Sequence, residues 1–180
     1  MRIISGTFKG KQIIAPSFFT LRPTTDFAKE SLCNILSNMY DFDDCSLLDL
    51  FAGIGSISLE FASRGCTDIV CVEREPKHAG FIKKTVSELK IQGMHVVTND
   101  VRDFLKIAYR SFSVIFADPP YDLPWIQSIP DYIFSSKAVD DQTFVIIEHP
   151  ASVSYVNHEF YIKTKQYGKV HFSMFSKEKE

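Results

Sequence analysis

The tetrapeptide Asp118-Pro119-Pro120-Tyr121 places a carboxylate, a rigid turn and an aromatic ring directly after the apolar run 112–117. The run predicts a buried strand, and in an open α/β sheet ligands bind at the carboxyl ends of the strands. Two consecutive prolines fix φ and remove two backbone donors, so their carbonyls can accept hydrogen bonds. A planar group with an exocyclic NH2, a purine or cytosine, would donate to Asp118 and the Pro119 carbonyl and stack on Tyr121. Alone, the motif is equally compatible with a polar turn that ends a strand.

A second stretch, 47–55, combines an apolar strand with a glycine turn at Gly53 and Gly55, and helical apolar spacing follows over 56–62. This order is typical of a nucleotide-binding βαβ unit. Glycine lets the backbone approach a ligand closely. Glu73 ends the next predicted strand, twenty positions after Gly53. An acid at that place can hold both hydroxyls of a ribose.

The glycine turn alone would also fit a dehydrogenase. However, the third glycine of the dinucleotide fingerprint is replaced by Ser58, and Asp49 before the loop suits a cation better than a pyrophosphate. S-adenosylmethionine has a ribose and an adenine, carries a sulfonium and an ammonium, and has no phosphate. The residues therefore favour S-adenosylmethionine over NAD.

The motifs at 49–55, Glu73, 99–100 (Asn-Asp) and 118–121, in this order, resemble those of the class I methyltransferases. The resemblance implies a Rossmann-like α/β fold with a mostly parallel seven-stranded sheet, helices on both faces, and an N-terminal hairpin and helix. It also implies S-adenosylmethionine as the cofactor. The residues expected to bind it are Asp49 at the cationic end, Phe51, Gly53 and Gly55 near the methionine part, Glu73 at the ribose, Asp100 and the Val101 N–H at the adenine, and Asp118. Asn99-Asp100 could instead cap the following helix, and both roles are compatible.

The segments 1–6 (Met-Arg-Ile-Ile-Ser-Gly) and 22–26 (Arg-Pro-Thr-Thr-Asp) narrow the resemblance to the bacterial 16S rRNA guanine-N2 methyltransferases of the RsmD type. This similarity covers nearly the whole chain, and it implies a guanine of 16S rRNA, in the assembled or assembling small subunit, as the substrate. The chain departs from the family pattern at Phe27, where a basic residue is usual, which weakens the RNA-contact argument there. Ile54 and Ser56, like Ser58, change loop packing more than cofactor choice.

The catalytic residues expected from this reading are Asp118, Pro119, Pro120 and Tyr121. An exocyclic amine is a poor nucleophile, because its lone pair is delocalised into the ring. Acceptors on both N–H bonds favour the pyramidal amine of the transition state. The proton then leaves either to Asp118 or to water.

The net charge of −2 is unevenly distributed. Residues 1–40 hold five basic and two acidic side chains, a charge of +3, so the remaining 140 residues carry −5. This asymmetry predicts phosphate contacts in the N-terminal segment, and the alternative is a solvated arm. The expected RNA-binding residues are Arg2, Lys9, Lys11 and Arg22. So modest a basic patch fits a ribonucleoprotein substrate better than naked nucleic acid.

A hairpin-like pair, 2–5 with 12–15, and a helix over about 26–38 capped by Thr25 are predicted first. Predicted strands at 46–51, 68–73, 95–98, 112–117 and 143–148 then alternate with helices at about 56–64, 76–91 and 101–109, which implies a parallel sheet. The segments 158–163 and 169–175 are predicted to form a closing antiparallel hairpin.

A chain of 180 residues, 45% hydrophobic, predicts a single domain: residues 1–24 as an RNA-contacting arm and 25–180 as the catalytic core. Neither a leader nor a transmembrane run is apparent, so we expect a cytoplasmic protein. We also expect it to be a monomer. The four cysteines lack C-x-x-C spacing and the five histidines are scattered, so we expect reduced thiols and no metal.

Two other functions remain compatible with the motifs. A DNA adenine-N6 methyltransferase also uses the Asp118–Tyr121 motif, although it normally needs a sequence-reading module for which 180 residues leave no room. A non-catalytic S-adenosylmethionine-binding protein would have no obvious use for that motif.

Overall fold

The structure of the protein is a computed structural model, which describes residues 1–17, 19 and 25–178. In chain order the elements are α1 (Asp26–Leu36), β1 (Ser46–Leu50), α2 (Ser56–Ser63), β2 (Asp68–Glu73), α3 (Pro76–Leu89), β3 (Met94–Thr98), α4 (Val101–Ile107), β4 (Val114–Ala117), a 3-10 turn (Ile126–Ser128), α5 (Ile129–Phe134), β5 (Phe144–His149), β6 (Tyr161–Tyr167) and β7 (Val170–Phe175).

The strands form one seven-stranded sheet in the order β3-β2-β1-β4-β5-β7-β6. Strands β1 to β5 are parallel, and β7 is antiparallel to both β5 and β6. The predicted α/β methyltransferase fold is thereby confirmed. The chain reverses its direction of strand addition between β1 and β4, which opens a crevice at the carboxyl ends of these two strands.

Apolar side chains cover both faces of the sheet. Leu47 and Val114 belong to the buried cluster that includes residues of α1, α2 and α3, whereas Leu48 and Ile115 belong to the cluster that includes α4 and α5. Neighbouring residues of a strand point to opposite faces, so a strand buried on both faces reads as a continuous apolar run.

Strand register brings the predicted site residues to one edge. Leu50 pairs with Ala117 of β4, and Ala117 pairs with Ile147 of β5. The residues that follow these three positions, Phe51, Asp118 and Glu148, therefore lie side by side at the carboxyl edge of the sheet.

The predicted N-terminal hairpin of 2–5 with 12–15 is present in a shortened form. Its one bridge joins Arg2 to Gln12, and the amides of Ile3 and Ile13 donate to the carbonyls of Lys11 and Met1 at 3.0 and 2.9 Å. The backbone amides of Ile4 and Ser5 donate instead to the buried Glu60 carboxylate of α2, at 2.9 and 3.0 Å. A Cβ on Gly6 would lie 1.7 Å from the Ser63 carbonyl oxygen. The segment around Gly6 is thus packed against the end of α2 and does not extend as a free arm.

Most other predicted boundaries lie within two residues of the observed ones. Helix α1 begins after Thr25, whose hydroxyl accepts from the Ala28 amide as predicted, but it ends at Leu36 and not at Asn38. Strand β6 was predicted over 158–163 and begins only at Tyr161. His158 lies in a turn before β6. Its carbonyl accepts from the Tyr161 amide, and its Nδ1 accepts from the Phe160 amide.

The four cysteines are buried free thiols, as predicted. Across the described part of the chain, none of the helices combines the length and apolarity required to cross a bilayer. Over the same residues, no three His, Cys, Asp or Glu side chains are grouped so that they could hold a metal ion.

Candidate active site

A cleft of about 1350 Å³ opens at the carboxyl ends of β1, β2 and β4. Pockets for one small ligand usually measure about 300–1000 Å³, so this cleft has room for a cofactor and a second planar group. The sequence-predicted residues that line it are Asp49, Phe51, Gly53, Glu73, Asp100, Val101, Asp118, Pro119, Pro120 and Tyr121.

Gly55 is the exception among the residues expected to contact the cofactor, because it does not line the cleft. A Cβ on Gly55 would lie 3.2 Å from Cγ2 of Ile82 in the core. Its φ of 76° is left-handed, and it precedes the first residue of α2. Gly55 therefore serves the turn into α2 and its packing on α3 rather than a direct ligand contact.

Glu73 closes β2 and points back to the glycine loop. Its two carboxylate oxygens accept from the backbone amides of Gly53 and Glu75, each at 2.8 Å. Each oxygen has a second lone pair, so the carboxylate can also accept from the two hydroxyls of a ribose. The amide contacts hold the carboxylate in one orientation before any ligand binds.

Asp49 is a buried carboxylate in β1, with 2% of its surface exposed. Its Oδ2 accepts from the Ser58 hydroxyl at 2.6 Å and from the Ser58 amide at 3.3 Å. Burial raises the pKa of Asp49 from 3.8 to about 7, and the Ser58 hydrogen bonds oppose that rise. Because the pKa of this buried carboxylate is near 7, a cationic ligand beside it would stabilise its ionised form.

Asp100 caps α4, which was one of the two roles predicted for it from the sequence. Its Oδ1 accepts from the Arg102 amide at 2.9 Å and from Arg102 Nε at 3.4 Å. Val101 follows as the first helical residue, and an amide in the first turn has no acceptor within the helix. Asp100 and Val101 also line the cleft, so capping does not exclude contact with a ligand.

Phe51 and Trp125 form an aromatic wall of the cleft that Asp100 also lines. The two ring centroids are 5.9 Å apart, and the Arg102 guanidinium lies 4.7 Å from the Trp125 ring centroid. Phe51 has a φ of 62°, an uncommon left-handed conformation for a residue with a side chain, and its side chain lines the cleft. Trp125 escaped the sequence analysis, although it is the single tryptophan and follows the Asp118–Tyr121 motif by four residues.

The Asp118–Tyr121 segment, here called the amine site, begins where β4 ends. The Asp118 amide donates to the Leu50 carbonyl at 3.3 Å, which ties the turn to β1. Tyr121 is 47% exposed, and its hydroxyl donates to Glu148 Oε1 at 3.2 Å. Burial, together with the Glu148 and Asp118 carboxylates, raises the pKa of Tyr121, so the hydroxyl stays protonated at neutral pH.

Glu148 is the second residue that the sequence analysis left out of the site. It lies in β5, 4% exposed, and lines the same cleft as the amine site. Its place at the end of a predicted strand is equally compatible with a pocket residue and with a satisfied polar group. Only the β4–β5 register reveals that it neighbours Asp118.

The mouth of the cleft is aromatic and basic. Phe27 is 64% exposed, its ring centroid lies 5.9 Å from that of Tyr167, and Lys77 and Lys169 line the cleft with them. Stacking rings and cations are the groups that bind single-stranded nucleic acid. An aromatic side chain at position 27 therefore still suits RNA, although it differs from the expected basic residue.

Among the predicted RNA-binding residues that the structure describes, none lines this cleft. Arg2 forms an exposed ion pair with Asp26 at 3.5 Å, at the start of α1. Lys9 and Lys11 are exposed, and Lys11 borders a separate small recess beside α3. Arg22 lies outside the described residues.

The family described as conserved hypothetical protein 95 matches residues 1–176. The chain is 28% identical to "Ribosomal RNA small subunit methyltransferase D" of Buchnera aphidicola subsp. Baizongia pistaciae, over 97% of this chain and 91% of that protein. It is 33% identical to "Putative rRNA methyltransferase YlbH" of Bacillus subtilis, over 85% and 84% of the two chains. Among solved structures, "Putative methyltransferase yhhF from Escherichia coli" superimposes with a TM-score of 0.85 at 25% identity, over 98% and 97%.

Proposed function

This chain belongs to the conserved hypothetical protein 95 family, and from that premise we propose that it transfers a methyl group from S-adenosylmethionine to N2 of a guanine in 16S rRNA. One observation carries the proposal. A single cleft joins a ribose-and-ammonium half, with Glu73 and Asp49, to an amine site formed around Asp118 and Tyr121.

The cofactor half fits S-adenosylmethionine group by group. Glu73 would hold the ribose hydroxyls, and the buried Asp49 suits the ammonium better than it suits any phosphate. Asp100 and the Val101 amide would meet the adenine edge, beside the ring of Phe51. Gly53, with φ of 57° and no atom closer than 3.9 Å to a Cβ placed on it, lets the loop approach the ligand.

The amine site activates and aligns the exocyclic amine for methyl transfer. When bound, the cofactor supplies an electrophilic methyl group that needs no further activation. The Asp118 carboxylate and the Pro119 carbonyl accept hydrogen bonds from the two N–H groups of the amine. These hydrogen bonds favour the pyramidal, nucleophilic form of the amine. Tyr121 stacks on the base and holds it in line with the methyl group. The amine proton leaves through Asp118 or through water.

The substrate is rRNA, and within it a guanine of the small subunit or its assembly intermediate. The exposed Phe27 and Lys169 and the half-buried Tyr167 at the mouth support an unstacked, single-stranded nucleotide as the form that enters. Arg2, Lys9, Lys11 and Arg22 contribute phosphate contacts. Its rRNA substrate places the protein's action in the cytoplasm. We expect a single-domain monomer, since one chain supplies both the cofactor half and the amine site of the cleft.

Tritium transfer from labelled S-adenosylmethionine tests this substrate assignment. Small subunits from cells that lack the enzyme, naked 16S rRNA and double-stranded DNA are offered in parallel at equal concentration. We expect label in small subunits or 16S rRNA and none in DNA. Label in DNA alone, as N6-methyladenine, would replace the proposal with a DNA adenine methyltransferase.

A further inference from the structure

We propose that Glu148 selects guanine over adenine by accepting a hydrogen bond from N1–H of the target base. This inference rests on the proposed function, because it concerns the base whose amine enters the amine site. It assigns to Glu148 a specificity role beyond the holding of the amine by Asp118 and Pro119.

The position of Glu148 supports this role. Ala117 pairs with Ile147 in the parallel register of β4 and β5, so Glu148 stands one position further along, level with Asp118. It is 4% exposed and lines the cleft, and its Oε1 accepts from the Tyr121 hydroxyl at 3.2 Å. The ring expected to stack on the base and the Glu148 carboxylate are thus in direct contact.

The two purines differ at the atom next to the amine. Guanine carries donors at both N2 and N1, on adjacent positions of one edge, whereas adenine carries a donor at N6 and a lone pair at N1. With the amine on Asp118 and Pro119, a neighbouring carboxylate at the N1 position accepts the N1–H of guanine. The same carboxylate repels the N1 lone pair of adenine, and burial makes that mismatch costly.

The hydrogen bond from Tyr121 does not compete with this role. A carboxylate offers about four acceptor positions on two oxygens, and the tyrosine hydroxyl takes one of them. The burial-raised pKa of Tyr121 keeps that hydroxyl a donor, so it orients the carboxylate. A purely positional role for Glu148, in which it only holds Tyr121 in place, is the alternative to be tested.

Glu148→Gln is the appropriate variant, because it keeps the shape and an acceptor for Tyr121 but replaces one carboxylate oxygen by a donor. We expect kcat/KM for small subunits to fall roughly 10- to 100-fold, the range for loss of a hydrogen bond to a charged group. The affinity for S-adenosylmethionine, measured by calorimetry, should stay unchanged. Tyr121→Phe is the matched control, since it removes the contact between these two side chains and leaves the carboxylate.

The base preference is measured as the difference in affinity for two nucleotides, with the protein saturated with S-adenosylhomocysteine. Guanosine 5′-monophosphate is compared by NMR titration with 2-aminopurine riboside 5′-monophosphate, which keeps the exocyclic amine but has a lone pair at N1. We expect the wild-type protein and Tyr121→Phe to prefer the guanine nucleotide, and Glu148→Gln to lose or reverse that preference.

Three results would overturn the inference. They are a wild-type protein without preference for guanine over 2-aminopurine, a Glu148→Gln protein that keeps the preference, and equal losses in Glu148→Gln and Tyr121→Phe. The first result needs no variant, so it stands even if Glu148→Gln fails to fold. A wild-type protein that transfers no methyl group to guanine N2 contradicts the proposed function itself and is recognised separately from these.

Discussion

Asp49→Asn removes the negative charge at the cofactor end of the cleft but keeps the hydrogen bonds that hold the glycine loop and α2. The amide can still accept from the Ser58 hydroxyl and amide, which now donate to Asp49 at 2.6 and 3.3 Å. What the variant removes is the negative charge. If Asp49 faces the ammonium of S-adenosylmethionine, only the ionised carboxylate should bind the cofactor tightly.

The magnitude follows from the raised pKa. With the pKa of Asp49 at about 7, the ionised fraction rises from about 3% at pH 5.5 to about 50% at pH 7, so wild-type affinity should increase roughly 15-fold over this interval. Asp49→Asn should bind more weakly at pH 7 and show almost no change between the two pH values. Calorimetric titrations at both pH values provide the measurement. A wild-type affinity that does not change with pH, or an equal slope in the variant, would refute this role.

The raised pKa of Asp49 also predicts how the free energy of unfolding changes with pH. A carboxyl group whose pKa is higher in the folded chain than in the unfolded chain stabilises the fold below pH 4, and that contribution is lost as pH rises towards 7. A rise from 3.8 to about 7 corresponds to about 4 kcal/mol in total, of which roughly 2–3 kcal/mol falls between pH 5 and 8. Urea unfolding should show wild type losing that much relative to Asp49→Asn over this range.

Four further predictions concern other parts of the molecule. Glu73→Ala should weaken S-adenosylmethionine binding by about 1–3 kcal/mol in calorimetry, because the ribose acceptors and the Gly53 amide contact are lost together. Asp118→Ala should lose roughly two or more orders of magnitude in methyl transfer, measured in single turnover at saturating S-adenosylmethionine. Joint replacement of Lys9 and Lys11 by glutamine should lower the salt dependence of RNA binding without affecting cofactor affinity, and an unchanged slope would remove them from the RNA surface. Glu60→Ala should cost about 3–5 kcal/mol in urea unfolding, because it leaves the buried Lys29 ammonium without the carboxylate that now lies 3.5 Å away.

The parts of the site that the sequence predicted are those encoded within a few residues. The Asp118–Tyr121 turn and the Gly53 loop follow apolar strands directly, so their place at the sheet edge follows from strand order alone. Glu73 was predictable for the same reason, as the acid at the end of the next strand.

The parts that sequence reasoning missed depend on contacts between distant segments. Glu148 neighbours Asp118 only through the pairing of β4 with β5, and Gly55 faces Ile82 of α3 and not the ligand. The charge count treated Lys29 as one of the basic residues of an exposed segment. Its ammonium is in fact buried against Glu60, a carboxylate of a helix predicted from its apolar residues.

The identity of the methylated nucleoside decides whether the protein is a guanine-N2 methyltransferase of 16S rRNA. Small subunits from cells lacking the enzyme are incubated with trideuteromethyl-labelled S-adenosylmethionine and either wild-type protein or Asp118→Ala, and the 16S rRNA is digested to nucleosides for mass spectrometry. We expect labelled N2-methylguanosine with the wild-type protein and roughly a hundredth of it or less with Asp118→Ala. Label in any other nucleoside, or equal N2-methylguanosine from both proteins, would contradict the proposed function.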